Sequence, residues 1–290
     1  MRILRFERED GPQVGVVRGD DIVALEPLSE ALPTVFAISA GGPEALKRIE
    51  DFVSGAPAAL ALSEARLLIP IERPGKYLAI GMNYRKHVEE AARLGVPPPT
   101  RQYWFNKQTS CLSGPFDAID PGVTKQLDYE VELGVVIGSR ARYLAKAKAM
   151  DAVAGYCLAN DVSERNFQIE RSGGQWGKGK GCETFGSLGP WLVTKDEISN
   201  PQRLDMWLSV NGETRQHGST RTMIFGVAHL VWYCSQFFVL EPGDVIITGT
   251  PPGVGLGIKP EPKFLKAGDV VRLGIDGLGE QQQKVVRFKM

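Results

Sequence analysis

Two glutamates, Glu130 and Glu132, stand two residues apart in the run Asp128-Tyr129-Glu130-Val131-Glu132-Leu133-Gly134-Val135-Val136-Ile137. Side chains alternate along a strand, so Tyr129, Val131, Leu133, Val135 and Ile137 would form an apolar face, with Asp128, Glu130 and Glu132 on the other. Like charges so placed repel, and more strongly as water is removed. Such a face is either solvated or neutralised by a cation. Asp161 closes the apolar run Tyr156-Cys157-Leu158-Ala159-Asn160 and opens what reads as a helix over 162–171. It is either an N-cap or a third oxygen donor. Should the three carboxylates meet, they make an all-oxygen site for a hard divalent ion, Mg2+ or Mn2+, with remaining positions left to water and substrate.

His87 and Glu90 stand three apart in Asn83-Tyr84-Arg85-Lys86-His87-Val88-Glu89-Glu90, and a helix would place both on one face. A carboxylate that orients an imidazole improves it as a general base near neutral pH, although the same spacing also describes an ordinary surface contact. Of the other histidines, His217 reads as exposed loop and His229 as a core residue of an apolar helix. Gly177-Lys178-Gly179-Lys180-Gly181 lacks P-loop spacing; it is either a cationic surface loop or a lysine aimed at developing negative charge. Thr248-Gly249-Thr250-Pro251 pairs hydroxyls with free backbone N–H groups, which suits an anion or simply a tight turn.

Positioning these groups requires a β-rich scaffold. Strands are expected at 2–6, 13–17 and 22–25, a helix at 44–52, and a boundary near residue 72, where two prolines stand close together. That divides the chain into a small N-terminal β-rich domain, 1–72, and a larger one, 73–290. In the latter, strands are expected at 77–80, 103–106, 133–137, 155–159, 191–193, 206–210, 245–248, 270–273 and 285–288. A short helix at 85–93 stops at Gly95 and Pro97-Pro98-Pro99, and Asn211-Gly212 marks a hairpin. The fold class is mainly β with some α. Residues 163–171 are expected as a helix capped by Ser163, with Arg165 and Gln168 on one face and a joint at Ser172-Gly173-Gly174. That segment either closes as a lid or lies as a surface helix.

Lys and Arg number 34, as do Asp and Glu, so no net charge steers the chain toward nucleic acid or an anionic membrane. A small molecule is the expected partner. Cys111, Cys157, Cys182 and Cys234 are scattered, without the spacing of a zinc knuckle or redox pair, and fit a cytoplasmic protein. The first ten residues lack a secretion signal. The apolar stretch 223–240 contains His229, Ser235 and Gln236 and reads as a buried core helix rather than a membrane span.

Six blocks in order resemble the fumarylacetoacetate hydrolase family over 75–280: Gly81-Met82-Asn83-Tyr84-Arg85-Lys86-His87-Val88-Glu89-Glu90, Asp128-Tyr129-Glu130-Val131-Glu132-Leu133, Asn160-Asp161-Val162-Ser163-Glu164-Arg165-Asn166-Phe167-Gln168, Gly179-Lys180 through Phe185, Val210-Asn211-Gly212-Glu213, and Thr248-Gly249-Thr250-Pro251. The resemblance implies an α+β fold with a mixed β-roll catalytic domain, usually a homodimer. It implies Glu130, Glu132 and Asp161 as metal carboxylates, His87 and Glu90 as a water-activating dyad, and Lys180 as the active-site lysine. Arg165, Gln168 and Thr250 match positions near a bound keto acid, and Lys107 a further pocket lysine. One departure stands out. The family commonly carries Ser after the lysine and Asp two residues further on, where this chain has Gly181 and Glu183, and Lys178 competes for the lysine register.

The implied activity is hydrolysis of a C–C bond in a 2,4-diketo acid of the acylpyruvate type, through a metal-stabilised enolate, in aromatic or sugar acid catabolism. Oxaloacetate decarboxylases, hydroxydienedioate isomerases and keto sugar acid dehydratases of the same family use the same enolate chemistry, so the ligands do not separate them. A non-catalytic metal-binding protein is the third reading.

Overall fold

The computed structural model of the protein describes residues 1–93, 95, 98 and 100–288. Of the expected Pro97-Pro98-Pro99 stop, Pro97 and Pro99 lie outside them. The main strands are β1 (Arg2–Arg8), β2 (Gly11–Arg18), β3 (Asp21–Ala24), β4 (Tyr77–Gly81), β5 (Tyr103–Lys107), β6 (Val131–Ile137), β7 (Val153–Asp161), β8 (Gly186–Thr194), β9 (Asp205–Val210), β10 (Glu213–Ser219), β11 (Val245–Ile247), β12 (Val270–Ile275) and β13 (Gly279–Lys284). The helices are α1 (Val35–Gly55), α2 (Arg85–Ala92), α3 (Arg165–Ile169), α4 (Gly177–Lys180) and α5 (Val227–Ser235).

Among the described residues one sheet has twelve strands, its long members ordered β3-β2-β1-β8-β7-β6-β11-β4-β5, and a second has four, β10-β9-β12-β13. The fold is therefore sheet-dominated with a few helices. β6 sits near the middle of the large sheet, and its residues Val-Glu-Leu-Gly-Val-Val-Ile are buried on both faces. A strand covered on both sides reads as a nearly continuous apolar run, which accounts for its composition. β1 pairs with β8, Arg2 opposite Val193 and Ile3 opposite Leu192. The boundary expected near residue 72 thus falls between strands of one sheet rather than between separate sheets.

Local signals account for most elements, and the exceptions have identifiable causes. Asn211 and Gly212 turn the β9–β10 hairpin at φ 52° and 82°, the left-handed angles such a turn needs. Helix α1 starts earlier than expected, capped by the Thr34 hydroxyl, and breaks at Gly42 (φ 57°) before Pro43. The stretch 223–240 is helical only over α5, and His217 lies exposed on strand β10 rather than in a loop. No helix among the described residues is long and apolar enough to cross a membrane.

The final strand is not at 285–288 but at β13, Gly-Glu-Gln-Gln-Gln-Lys, with Val285 keeping only an isolated bridge to Ile119. Its inward residues, Gln281 and Gln283, are fully buried amides. Gln281 Nε2 donates to the carbonyls of Leu158 and Gly189, each at 2.9 Å. Gln283 accepts from Asn160 Nδ2 at 2.8 Å and donates to Ser187 Oγ and to Gln281 Oε1. Apolar periodicity misses such a strand because its inner face is saturated by hydrogen bonds instead of by packing. Gln283→Leu, similar in volume, deprives Asn160 and Ser187 of a partner and should cost about 1–3 kcal/mol for each buried group left unsatisfied. Urea denaturation should show a lower midpoint at unchanged slope. A midpoint equal to the parent's would mean the network contributes nothing.

Candidate active site

Antiparallel pairing of β6 with β7 sets Val131 opposite Asn160 and Glu132 opposite Ala159, so Glu130 falls opposite Asp161. The Asp161 N–H donates to the Glu130 carbonyl at 2.9 Å, extending the ladder by one residue. Glu130 and Glu132 share a face, and one carboxylate oxygen from each of Glu130, Glu132 and Asp161 lies within 4.8 Å of the others. The three residues are only 5%, 1% and 1% exposed, so this is not a solvated face. Nor is Asp161 a helix cap. It ends β7, and α3 starts at Arg165 with the Glu164 carboxylate accepting from the Phe167 N–H at 2.5 Å. Ser163, expected as that cap, instead donates its hydroxyl to the Asp161 carbonyl at 2.9 Å. Strand alternation breaks before Val131, which takes Asp128 out of the cluster. Asp128 accepts from the backbone N–H groups of Tyr129, Gly255 and Leu256 and from Arg165 Nε.

Cations converge on these acids from three elements. Lys180 Nζ, on α4, lies 2.6 Å from Glu130 Oε2 and 2.7 Å from Asp161 Oδ2. Arg165, on α3, places Nε 2.8 Å from Asp128 and Nη2 2.8 Å from Glu130 Oε1. Lys107, on β5, holds Asp161 and the Phe185 carbonyl. Burial alone would raise the Glu130 carboxyl, but Lys180 and Arg165 outweigh it and hold that group well below the usual carboxylate range. Burial likewise opposes the Lys180 charge, and Asp161 and Glu130 overcome it and raise its pKa.

Glu132 is different. Its Oε2 accepts from the Gly249 N–H at 2.7 Å, and among the described residues no cation pairs with it. Burial, with Asp161 and Glu130 nearby, pushes its carboxyl well above the ordinary range. Among the described residues the acids Asp128, Glu130, Glu132 and Asp161 meet the cations Lys107, Arg165 and Lys180, one acid more than cations, and Glu130, Glu132 and Asp161 face a cavity of about 190 Å³. That donor set fits a hard divalent cation, which Glu130, Glu132 and Asp161 would hold.

His87 Nδ1 lies 3.0 Å from Glu90 Oε2 on α2, and Glu90 also accepts from the Gly253 N–H at 3.1 Å. Both line the same cavity as the three carboxylates. The tautomer that donates Nδ1–H to Glu90 is the one that would leave the Nε2 lone pair to act as a base. Gln168 Oε1 accepts from Arg165 Nη1 at 2.9 Å, and both side chains line the cavity. Thr250 Oγ1, also on the cavity wall, donates to the Val131 carbonyl at 2.9 Å.

Of the two competing lysines, Lys180 is buried with its Nζ on Glu130 and Asp161, and Lys178 is exposed. Lys107, expected in the pocket, does not line it; it stands behind Asp161 and fixes that acid. His229 is half-buried between Phe225 and Tyr233, with ring centroids 4.6 and 5.9 Å away. Sequence reasoning passed over Gln216, whose amide accepts from the Val131 N–H at 3.0 Å and donates to Thr250 Oγ1 at 2.8 Å. It also passed over Trp176, which lines the cavity just ahead of α4. A bulky aromatic before Gly-Lys-Gly-Lys was the available signal for Trp176; the buried glutamine had none.

The family model for the fumarylacetoacetate (FAA) hydrolase C-terminal region matches residues 76–286. Over 288 residues the chain is 51% identical to a protein of Burkholderia ambifaria, the match covering 98% of each. It superposes on the maleylpyruvate hydrolase of Sphingobium sp. SYK-6, solved in complex with manganese(II) ion and pyruvate, with a TM-score of 0.83, 30% identity and 100% of both chains covered. The 2-hydroxyhepta-2,4-diene-1,7-dioate isomerase of Mycobacterium marinum is similar at a TM-score of 0.76 and 29% identity, again over 100% of both chains. On sequence and fold together, the chain belongs to the fumarylacetoacetate hydrolase family.

Proposed function

We propose that the protein hydrolyses a C–C bond of 2,4-diketo acids of the acylpyruvate type. The observation that carries this reading is the His87–Glu90 pair in one cavity with three clustered, buried carboxylates. Water adds to the distal carbonyl, the bond from that carbonyl carbon to the methylene breaks, and the products are a carboxylic acid and pyruvate. His87 takes a proton from water at Nε2 while Glu90 holds Nδ1–H. The resulting imidazolium returns that proton to the methylene carbon of the departing enolate, which balances the reaction. Arg165 and Gln168 orient the keto acid carboxylate. Lys180 offers charge to the enolate as it forms, an interaction stronger in the transition state than in the substrate and therefore rate-enhancing. Mg2+ or Mn2+ held by Glu130, Glu132 and Asp161 would supply Lewis acidity toward the keto oxygens.

The isomerase relative favours one competing reading, proton transfer within a hydroxydienedioate without addition of water. Incorporation of 18O from water into the carboxylic acid product separates the two. The proposal also takes in a homodimer working in the cytoplasm, and closure of 163–178 over the keto acid, with Gly173 and Gly174 (φ 62° and 84°) as its joint.

Pyruvate release from acetylpyruvate should vanish with a chelator and return with Mg2+ or Mn2+; full turnover by protein shown metal-free by elemental analysis would remove the metal from the mechanism. Glu132→Gln keeps the shape and removes the unpaired charge, so metal affinity should fall by more than the roughly 10–100-fold typical of changes to groups around a metal site. His87→Ala should lower kcat by about 10²–10⁴ with a smaller change in substrate binding. Near-parental kcat would assign the proton transfer elsewhere.

The raised Glu132 carboxyl gives a pH dependence with a definite sign. The metal-free fold holds that proton more tightly than the unfolded chain does. Its stabilising contribution is therefore present at low pH and lost as pH rises through the folded-state pKa. Metal competes with the same proton, so the rise in Tm on adding Mn2+ should be larger at pH 8 than at pH 6. An equal rise at both would exclude a protonated Glu132 from the metal-free state.

A further inference from the structure

We infer that the acyl end of the substrate is uncharged and apolar, an aryl or bulky alkyl group seated against Phe105 and Trp176, and that dicarboxylic diketo acids are disfavoured. For the keto acid end this rests on the reading above. Among the described residues, every charged side chain lining the cavity belongs to the cluster already described or to the His87–Glu90 pair. From that cluster a series of aromatic rings leads outward. Lys180 Nζ lies 5.7 Å from the centre of the Phe105 ring. Phe105 meets Trp176 edge-on, centroids 5.8 Å apart at 61°, and Trp176 stacks on Tyr103 at 5.6 Å and 3°. Tyr103 is half exposed, so the series runs from the buried charges to solvent. Gly81 makes room for it: a Cβ there would stand 2.5 Å from the Trp176 indole, so only glycine lets the ring lie against β4. Met82, Ile169, Val254 and Leu256 extend the apolar wall.

The cations of the cavity are already engaged. Among the described residues lining it they are Arg165, held by Asp128 and Glu130, and Lys180, held by Glu130 and Asp161; the His87 ring is held by Glu90. Lys178, exposed, lines an adjoining surface depression that shares Phe105 and Trp176 with the cavity, and it is not among the residues lining the cavity itself. A keto acid's own carboxylate would draw on the Arg165 and Lys180 end. A second carboxylate at the acyl end would meet aromatic faces, which carry partial negative charge, and would lose water without gaining a partner. An aryl group gains an offset or edge-on ring contact in the same place. The wall therefore selects against the charge that maleylpyruvate, in the name of the related hydrolase, carries at that end.

The test is calorimetric titration of Mn2+-loaded His87→Ala with benzoylpyruvate, acetylpyruvate and maleylpyruvate, alongside kcat/KM of the parent from pyruvate release. Benzoylpyruvate should bind about two- to tenfold more tightly than either of the others, the size of one well-placed ring contact. Trp176→Ala should remove most of the benzoyl-over-acetyl ratio, and Trp176→Phe should restore part of it. Ile169→Arg, at a wall position that is 44% exposed, should shift the ratio toward maleylpyruvate. Maleylpyruvate binding as tightly as benzoylpyruvate, or a benzoyl-over-acetyl ratio unmoved by Trp176→Ala, overturns the inference. The two readings fail separately. Preferential binding of benzoylpyruvate with no pyruvate released by the parent would sink hydrolysis and keep the acyl class, whereas pyruvate release with maleylpyruvate preferred would do the reverse.

Discussion

Asp128, Glu130, Glu132 and Asp161 are drawn out of water where β6 begins and β7 ends, and among the described residues three cations, Lys107, Arg165 and Lys180, come with them. Each charge so placed forfeits hydration, and the loss is recovered only through close, well-oriented partners. That constraint reaches every element around the cavity. β5 must bring Lys107 behind Asp161, α3 must bring Arg165 between Asp128 and Glu130, and α4 must bring Lys180 between Glu130 and Asp161. Deleting one member of such a buried pair typically costs about 3–5 kcal/mol, because its partner stays behind uncompensated. Glu132, which among the described residues meets the Gly249 N–H and no cation, is the acid left over, and its carboxyl is pushed well above the ordinary range. A divalent cation bound there would favour its charged form, so metal affinity and fold stability would be coupled through the same carboxylate.

A second network makes that arrangement reproducible. Gln281 and Gln283 from the small sheet reach the backbone of β7 and β8 and the side chains of Asn160 and Ser187. Asn160 precedes Asp161 and accepts from the Glu130 N–H at 3.2 Å. Gln216 does the same on the other side, tying the Val131 N–H to Thr250. Amide side chains accept and donate in fixed directions, so they specify strand register in a way that interchangeable apolar contacts do not. Here that register decides whether Glu130 faces Asp161.

The cavity is consequently divided in character. Its charged part holds the carboxylates Glu130, Glu132 and Asp161 with Arg165 and Lys180, and the His87–Glu90 pair. Its aromatic part, Phe105 and Trp176, touches neither the carboxylates nor the His87–Glu90 pair through hydrogen bonds. Trp176 joins the two, because it sits directly ahead of the helix that carries Lys180 and packs on Phe105 beneath that ammonium.

Much of this was legible in the residues alone wherever the governing geometry is local. Alternation puts Glu130 and Glu132 on one face, helical spacing joins His87 to Glu90, and Asn211-Gly212 turns a hairpin, because each depends on dihedral angles within a few residues. Other local signals misled for the same reason. Ser163 resembles a cap, but Glu164 is the residue aligned with α3; 285–288 is apolar, but β13 carries the hydrogen-bonding groups that the core there requires. Tertiary structure decided that Asp161 lies opposite Glu130, that Lys180 rather than Lys178 is buried, that Lys107 stands behind an acid instead of in the pocket, and that Glu132 is left without a cation. A residue's periodicity records which way its side chain points, whereas its partner is set by strand register and by the balance of buried charge, and both are properties of the assembled chain.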